Sequence, residues 1–202
     1  HMGMRKESGY RVTLDLQHTI TCLEKARIPV ISAVQGACVG GGVDLATATD
    51  MRYCTKDAFF CIQEINIGMA ADVGTLQRLP KIIPDSKMRE MAYTGRRMYA
   101  PEAKDSGLVS DTFENQEKML VAANKLAKEI ASKSPVAIYG LKAVMNYSRD
   151  HSINDSLDYN ALWSGAMLSQ KDMTEAMTAN FEKREAEFNK LVGVKKFNES
   201  DN

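Results

Sequence analysis

An α/β fold followed by an entirely helical carboxyl-terminal part is the arrangement that this sequence predicts. Three observations lead to that prediction. A β-branched run at 29–34 is typical of a buried strand. The glycine triplet 40–42 separates this run from a helix-like segment at 43–48. From residue 116 onward, apolar residues recur at helical spacing almost to the end of the chain.

The elements can be assigned in chain order. Apolar residues spaced by four, four and three positions predict a first helix at 11–26. The predicted strands lie at 29–34, 51–54, 58–67 and 107–109. The other predicted helices lie at 43–48, 73–79, 86–93, 101–105, 116–132, 135–148, 153–168 and 173–191. We expect Asp172 to cap the last helix, with Glu175 completing a capping box.

Composition excludes several classes of function. Lys plus Arg and Asp plus Glu both number 26, so the net charge is zero and predicts neither nucleic acid nor an anionic membrane surface as a partner. The most apolar stretch, 28–43, is interrupted by four glycines and does not predict a transmembrane helix. Without a CxxC pair, the four cysteines are expected to be reduced, and three histidines predict no histidine-rich metal site.

The segment from Gly40 to Asp44 is the first candidate for chemistry. A helix that begins here has free N–H groups in its first turn, so the Gly41 N–H is a reasonable donor to an oxyanion. Asp44 lies three residues further on, and its side chain returns to the same face of the helix. The alternative is a glycine-rich turn in which Asp44 only interacts with the helix dipole.

Two further carboxylates follow along the chain. By strand alternation Glu64 shares a face with Phe60 and Ile62, so partial burial is expected to let it exchange a proton near neutral pH. If the strand ends at Gln63 instead, Glu64 faces water. Asp72 has small neighbours that leave room for a ligand, but an acid at this place is also an ordinary helix N-cap.

Taken together, these residues form one candidate site. The segment from Gly40 to Val73 holds an oxyanion donor and three acids that we expect to be buried, and an α/β core can bring them together. Two carboxylates on opposite sides of a substrate can move a proton between distant carbons through a resonance-stabilised anion.

These residues resemble the crotonase, or enoyl-CoA hydratase/isomerase, superfamily. Segments 29–36 and 40–45 are similar to its second oxyanion-hole segment, and 74–80 and 102–109 look like two further signatures. Within the superfamily, the details at 42–44, 57–60, 70–75 and 148–152 are most similar to the dienoyl-CoA isomerases.

The resemblance implies a fold and a set of roles. It implies the carboxyl-terminal part of a ββα spiral core at 11–113, a helical oligomerisation region at 114–191 that assembles trimers or hexamers, and a flexible tail at 192–202. Gly41, preceded by Gly40, matches the glycine that binds the thioester oxygen. Glu64 matches the base at C2, Asp72 the acid at C6, and Asp44 a third acid that tunes or orients the pocket.

Other implications concern ligands and location. Lys183 matches a lysine that meets coenzyme A phosphates, although the sequence alone favours a solvated helix charge. No metal or further cofactor is expected, because coenzyme A enters with the acyl substrate. The family predicts the mitochondrial matrix or the peroxisome, although the chain ends without a Ser-Lys-Leu signal. The family's amino-terminal stretch, with the first oxyanion donor, has no counterpart here, so we expect low activity from this chain alone.

Two alternatives remain open at this stage. A 2-enoyl-CoA hydratase would use Asp44 and Glu64 to position a water, but hydratases usually carry Glu at the position of Asp44 and a glycine near Asp72. A non-catalytic acyl-CoA-binding or assembly protein would use the helical part for contacts between subunits. The apolar positions that could make such contacts, or form ordinary core, are Leu141, Val144, Leu157, Leu162 and Met167.

Overall fold

A computed structural model describes residues 2–193, with side chains from residue 7 onward. The strands are β1 Ile31–Val34, β2 Ala37–Val39, β3 Met51–Thr55, β4 Phe59–Cys61, β5 Arg97–Tyr99 and β6 Asp111–Phe113. The α-helices are α1 Met2–Lys25, α2 Gly41–Thr47, α3 Thr75–Arg78, α4 Asp85–Thr94, α5 Ala100–Asp105, α6 Gln116–Ala131, α7 Pro135–Ser148, α8 Ile153–Met167 and α9 Gln170–Glu182. Two 3₁₀ helices lie at Gln63–Ile67 and Leu79–Lys81.

The described part of the chain divides into two compact units, 2–127 and 128–193. This division falls within α6, and the functional boundary at residue 113 stays a prediction. Of the predicted tail at 192–202, residues 194–202 lie outside the described residues.

Two small sheets organise the first unit. One has the order β1-β3-β6 with parallel neighbours, and the other has the order β2-β4-β5. Strand β4 pairs in parallel with β2 and antiparallel with β5. Between the sheets and helices lies a buried core that includes Phe60, Leu79, Met91, Met98 and Leu108. Helix α2 connects the two sheets along the chain and packs on this core. The core therefore also fixes the position of the segment that begins at Gly40.

Helices α7, α8 and α9 make up most of the described second unit. Pro135 occupies the first turn of α7 as expected, and Ser134 caps that helix by accepting the Ala137 N–H. Helices α7 and α8 pack so closely that a Cβ at Gly140 would lie 2.4 Å from the Trp163 ring. Four of the five apolar positions singled out above are exposed in this chain, namely Leu141, Leu157, Leu162 and Met167.

Residues 107–109 do not form the predicted strand. Leu108 and Val109 are buried as expected, but their backbone groups bond elsewhere: the Leu108 carbonyl accepts from Arg52 Nε at 2.7 Å, and the Val109 N–H donates to Ala103. The strand of this region is β6, which pairs with β3. The prediction failed because a short apolar run gives the same sequence pattern whether it is buried in a turn or in a strand.

The last helix also differs from its prediction. It runs over Gln170–Glu182, and its cap is Ser169, which accepts the Asp172 N–H at 3.1 Å. Asp172 lies inside the first turn, where its buried carboxylate accepts from the Ser134 hydroxyl. Glu175 bonds to Arg184 beyond the helix rather than completing a capping box. The N-cap residue is thus Ser169, three residues before Asp172.

Candidate active site

Gly40 and Gly41 form the turn between β2 and α2. Gly40 has φ 53° and ψ −118°, a conformation that side chains disfavour, and its N–H donates to the Cys61 carbonyl at 3.0 Å. Gly41 begins α2, so its N–H has no acceptor within the helix. Gly41 is exposed, and no acceptor for this N–H is found among residues 2–193. The predicted oxyanion donor is therefore accessible to a ligand.

The Glu64 carboxylate lies directly against this turn. A Cβ built at Gly40 would be 3.3 Å from Glu64 Oε1, a tight contact that would push the carboxylate slightly from its present place. Glu64 Oε2 is buried and has no hydrogen-bond partner among the described residues. A desolvated carboxylate oxygen without a partner is costly in a folded protein, and such groups are typical of sites that bind a ligand.

The predicted strand at 58–67 is wrong beyond Cys61. Strand β4 ends there because its ladders with β2 and β5 are only three residues long, and Glu64 lies in the 3₁₀ helix Gln63–Ile67. Strand alternation therefore does not set the orientation of Glu64. Its partial burial comes instead from the position of the 3₁₀ turn beside Gly40.

Asp44 is the most deeply buried of the three acids, with 1% of its surface exposed. Its Oδ1 accepts two hydrogen bonds of 2.7 Å, one from the Thr75 N–H and one from the Thr75 hydroxyl. Asp44 therefore connects α2 to the first residue of α3. The simple alternative, in which Asp44 only interacts with its own helix dipole, does not describe this arrangement.

Asp72 is placed differently from the expectation. Its side chain is exposed rather than buried, and no described residue donates a hydrogen bond to its carboxylate. It is not a helix cap either, because α3 begins at Thr75 with Gly74 as the cap residue. The structure thus brings Glu64 to the Gly40–Gly41 turn and leaves Asp72 on a separate, solvent-facing segment.

An apolar cavity of about 330 Å³ lies beside these residues. Ile62 and Ile65 line it from the part of the chain that holds Glu64, and Ala70, Ala71 and Leu76 line it from the part that holds Asp72. The volume is at the lower end of the range for small-molecule sites, and an apolar lining suits a hydrocarbon group. The cavity is therefore lined by sequence neighbours of both Glu64 and Asp72, although neither acid itself lines it.

The neighbouring thiol offers no nucleophile. Cys38 lies in β2 just before the glycine turn, and burial raises the pKa of its thiol to about 12. It therefore stays protonated at neutral pH. All four cysteines are unpaired, as predicted. Within the described residues, no three His, Cys, Asp or Glu side chains are grouped in a way that could hold a metal ion.

Lys183 lies in the second unit, immediately after α9. It is exposed and adopts a left-handed conformation with φ 57° as the C-cap of that helix. The described residues therefore leave the Lys183 side chain at the surface. No helix within 2–193 is both long and apolar enough to cross a membrane.

Three residues that hold the Asp72 segment escaped the sequence prediction. Thr75 binds Asp44, Gln17 Nε2 donates to the Asp72 carbonyl at 2.6 Å, and Arg78 Nη1 donates to the Val73 carbonyl at 3.4 Å. Apart from the glycine and threonine that follow Asp72, the sequence contains no signal for these contacts. They join residues as much as 55 positions apart.

Comparison with known proteins identifies the family of this chain. The enoyl-CoA hydratase/isomerase family model matches residues 2–191. The mitochondrial Delta(3,5)-Delta(2,4)-dienoyl-CoA isomerase of Mus musculus is 52% identical over 179 residues, which cover 87% of this chain and 55% of the mouse protein. The peroxisomal enzyme of the same name from Arabidopsis thaliana is 46% identical over 94% of this chain and 68% of its own length.

A solved structure shares the fold. The enoyl-CoA hydratase from Bacillus anthracis matches with a TM-score of 0.84 and 28% identity, over 90% of this chain and 70% of that one. This chain belongs to the enoyl-CoA hydratase/isomerase family, and the crotonase-like α/β fold predicted above is confirmed. The chain spans about half the length of the mouse relative.

Proposed function

We propose that this chain carries the proton-transfer site of an acyl-CoA double-bond isomerase, which converts 3,5-dienoyl-CoA into 2,4-dienoyl-CoA in fatty-acid β-oxidation. One observation carries the proposal: the Glu64 carboxylate, whose Oε2 is buried and unpartnered, lies with its Oε1 beside the turn that presents the free Gly41 N–H. A base next to an oxyanion donor is the arrangement that enolate chemistry requires. The names of the mouse and Arabidopsis relatives support the choice of substrate.

The reaction needs two proton transfers and no net change in atoms. Glu64 takes a proton from C2, and the electron pair spreads over the thioester and the diene as an extended dienolate. The Gly41 N–H donates a hydrogen bond to the thioester oxygen, where negative charge develops. Asp72 delivers a proton to C6, so that the double bonds move from C3 and C5 to C2 and C4.

The surroundings of each group suit its role. Glu64 Oε2 has no competing donor among the described residues, so its lone pairs are available for a substrate proton. Asp72 is exposed and can recover a proton from solvent after each turnover. The apolar cavity between their segments suits the hydrocarbon chain. A placed acid or base contributes about 10²–10⁴ in rate, and one oxyanion donor about 10²–10³.

Further parts of the proposal concern partners. Coenzyme A enters with the substrate, and we propose no additional cofactor. Lys183 binds a coenzyme A phosphate, so Lys183→Gln should raise KM for the thioester with little change in kcat; an unchanged KM would contradict this role. The exposed apolar side chains of α7 and α8 form contacts in a homotrimer or hexamer, which sedimentation can test. The relatives' names support a mitochondrial or peroxisomal location.

The decisive experiment offers two substrates to a set of matched variants. The assay uses both the 202-residue chain and the same chain joined to the segment of the mouse relative that precedes the match. Glu64→Gln and Asp72→Asn should each lower isomerisation of 3,5-dienoyl-CoA by about 10²-fold or more, because each removes one acid–base group. Asp105→Asn, which changes an exposed acid at the end of α5, is the control and should keep full activity.

The products distinguish the alternatives. A conjugated 2,4-dienoyl-CoA supports the isomerase. Formation of 3-hydroxyacyl-CoA from 2-enoyl-CoA, spared in Asp72→Asn but lost in Glu64→Gln, would instead identify a hydratase. Binding of acyl-CoA by the longer chain without turnover of either substrate would indicate a binding or assembly protein.

A further inference from the structure

The contact between Asp44 and Thr75 is the best-formed polar contact of the candidate site. Both residues have only 1% of their surface exposed. Both Thr75 donors, the backbone N–H and the hydroxyl, end on the same carboxylate oxygen at 2.7 Å. Hydrogen bonds to an ionised acceptor inside a protein are among the strongest that side chains make. This pair therefore fixes the start of α3 relative to α2.

The segment from Asp72 to Thr75 is held at three of its four residues. Gln17 binds the Asp72 carbonyl, Arg78 binds the Val73 carbonyl, and Asp44 binds Thr75. The contact of Gln17 is exposed and that of Arg78 is long, at 3.4 Å. The buried contact with Asp44 is consequently the firmest of the three.

The backbone of this segment needs such an anchor. Gly74 has φ 129°, which side chains rarely adopt, and a Cβ there would lie 1.8 Å from Arg78 Nη1. The Asp72 carboxylate itself has no hydrogen bond from the described residues. Its direction is thus set by the backbone on either side rather than by contacts of its own.

We propose that Asp44 is a positioning residue, which acts through Thr75 to hold the segment that carries Asp72, and that it does not exchange a proton with the substrate. The proposal rests on the function proposed above, because it assigns Asp44 and Thr75 to the placement of the acid at C6. Thr75 becomes a functional residue for the same reason. The acceptor positions of Asp44 Oδ1 are already filled by Thr75, which leaves this oxygen no part in proton transfer.

The proposal separates variants that keep the contact from variants that break it. Asp44→Asn keeps an oxygen that can accept both Thr75 donors, whereas Asp44→Ala removes it. Thr75→Ser keeps the hydroxyl, whereas Thr75→Val has nearly the same shape without it. Asp44→Ala and Thr75→Val should lower kcat by about 10–100-fold with little change in KM, since misplacing a reacting group by about 1 Å costs about that much. Asp44→Asn and Thr75→Ser should recover a large part of that loss.

A second measurement on the 202-residue chain tests directly whether the Asp44–Thr75 contact holds the segment 72–75. Amide hydrogen exchange of the peptide 70–78 should become faster in Thr75→Val and Asp44→Ala, while exchange of α4 stays as in the unchanged chain. Thr94→Val, an equivalent change at an exposed threonine at the end of α4, is the control and should leave peptide 70–78 unaffected.

The two readouts keep the possible failures apart. The proposal is overturned if Thr75→Val exchanges and turns over like the unchanged protein. It is also overturned if Asp44→Asn loses as much kcat as Asp44→Ala while peptide 70–78 remains protected, because the charge of Asp44 would then act directly. If neither the unchanged chain nor any variant isomerises dienoyl-CoA, but exchange of peptide 70–78 responds as expected, the proposed function is wrong. The structural role of the Asp44–Thr75 contact is then still supported.

Discussion

Removing a single N–H group at Gly41 gives a sharp test of the oxyanion donor. Proline lacks this group and is well accepted at the first position of a helix, which is where Gly41 lies. A Cβ added at Gly41 would meet nothing within 4 Å, so there is room for the β-carbon of either replacement. Gly41→Ala has a side chain but keeps the N–H, and it is therefore the matched control.

The expected magnitude follows from the donor's surroundings. The Gly41 N–H has no acceptor among residues 2–193, so its loss leaves no carbonyl of the described fold unpaired. The stability of Gly41→Pro should accordingly stay within about 1 kcal/mol of that of Gly41→Ala. Turnover should fall much further, by about 10²–10³ relative to Gly41→Ala, because one donor to a developing oxyanion is worth about 3–4 kcal/mol.

The assay combines two measurements on both variants. Urea unfolding gives the free energy of unfolding, and formation of the conjugated 2,4-dienoyl thioester gives kcat and KM. The prediction is a large fall in kcat in a protein that is still folded. Equal turnover of Gly41→Pro and Gly41→Ala, with both folded, would refute the oxyanion role of Gly41.

Two further predictions concern Gly40, which lies beside Glu64, and Glu102, which lies in α5. Gly40→Ala should lower kcat by about ten-fold or more, because the new methyl group would lie 3.3 Å from Glu64 Oε1 and must displace it; an unchanged kcat would show that Glu64 needs no fixed place. Hydrogen bonds from Arg96 hold the pKa of Glu102 at about 2, so Glu102 stabilises the fold above pH 4.5 by about 1 kcal/mol, given its 31% exposure. The free energy of unfolding of the unchanged chain, measured with urea, should therefore exceed that of Glu102→Gln above pH 4.5. This difference should vanish as the pH falls from 4.5 toward 2, and a difference that stays constant over this range would contradict the prediction.

The sequence predicted the helices better than the short strands. Helix α7 has its predicted bounds, 135–148, because a capping serine, a proline and a periodic apolar face all lie within the helix or next to it. Strand β4 is only three residues long and ends where its partners end. Its partners β2 and β5 lie about 20 and 40 positions away along the chain, and no local pattern encodes that pairing.

The sequence nominates residues for the candidate site but contains no signal for their contacts. Gly41 was expected to be a free donor because helix geometry alone leaves the first N–H unpaired. The partner of Asp44 is Thr75, 31 positions away, and only the packing of α2 against α3 brings the two together. The expectation of a buried Asp72 came from its assignment to the α/β core with the other two acids, but the structure leaves its side chain exposed.

The proposed role of Glu64, beside the Gly41 amide, is to take the proton from C2. Exchange of the C2 hydrogens of 3,5-dienoyl-CoA in D₂O measures this step alone, by mass spectrometry of the thioester. Asp72→Asn should still incorporate deuterium at C2 without forming product, whereas Glu64→Gln should incorporate none above the uncatalysed rate. Deuterium entering at C2 equally fast in Glu64→Gln and in the unchanged protein would contradict the account.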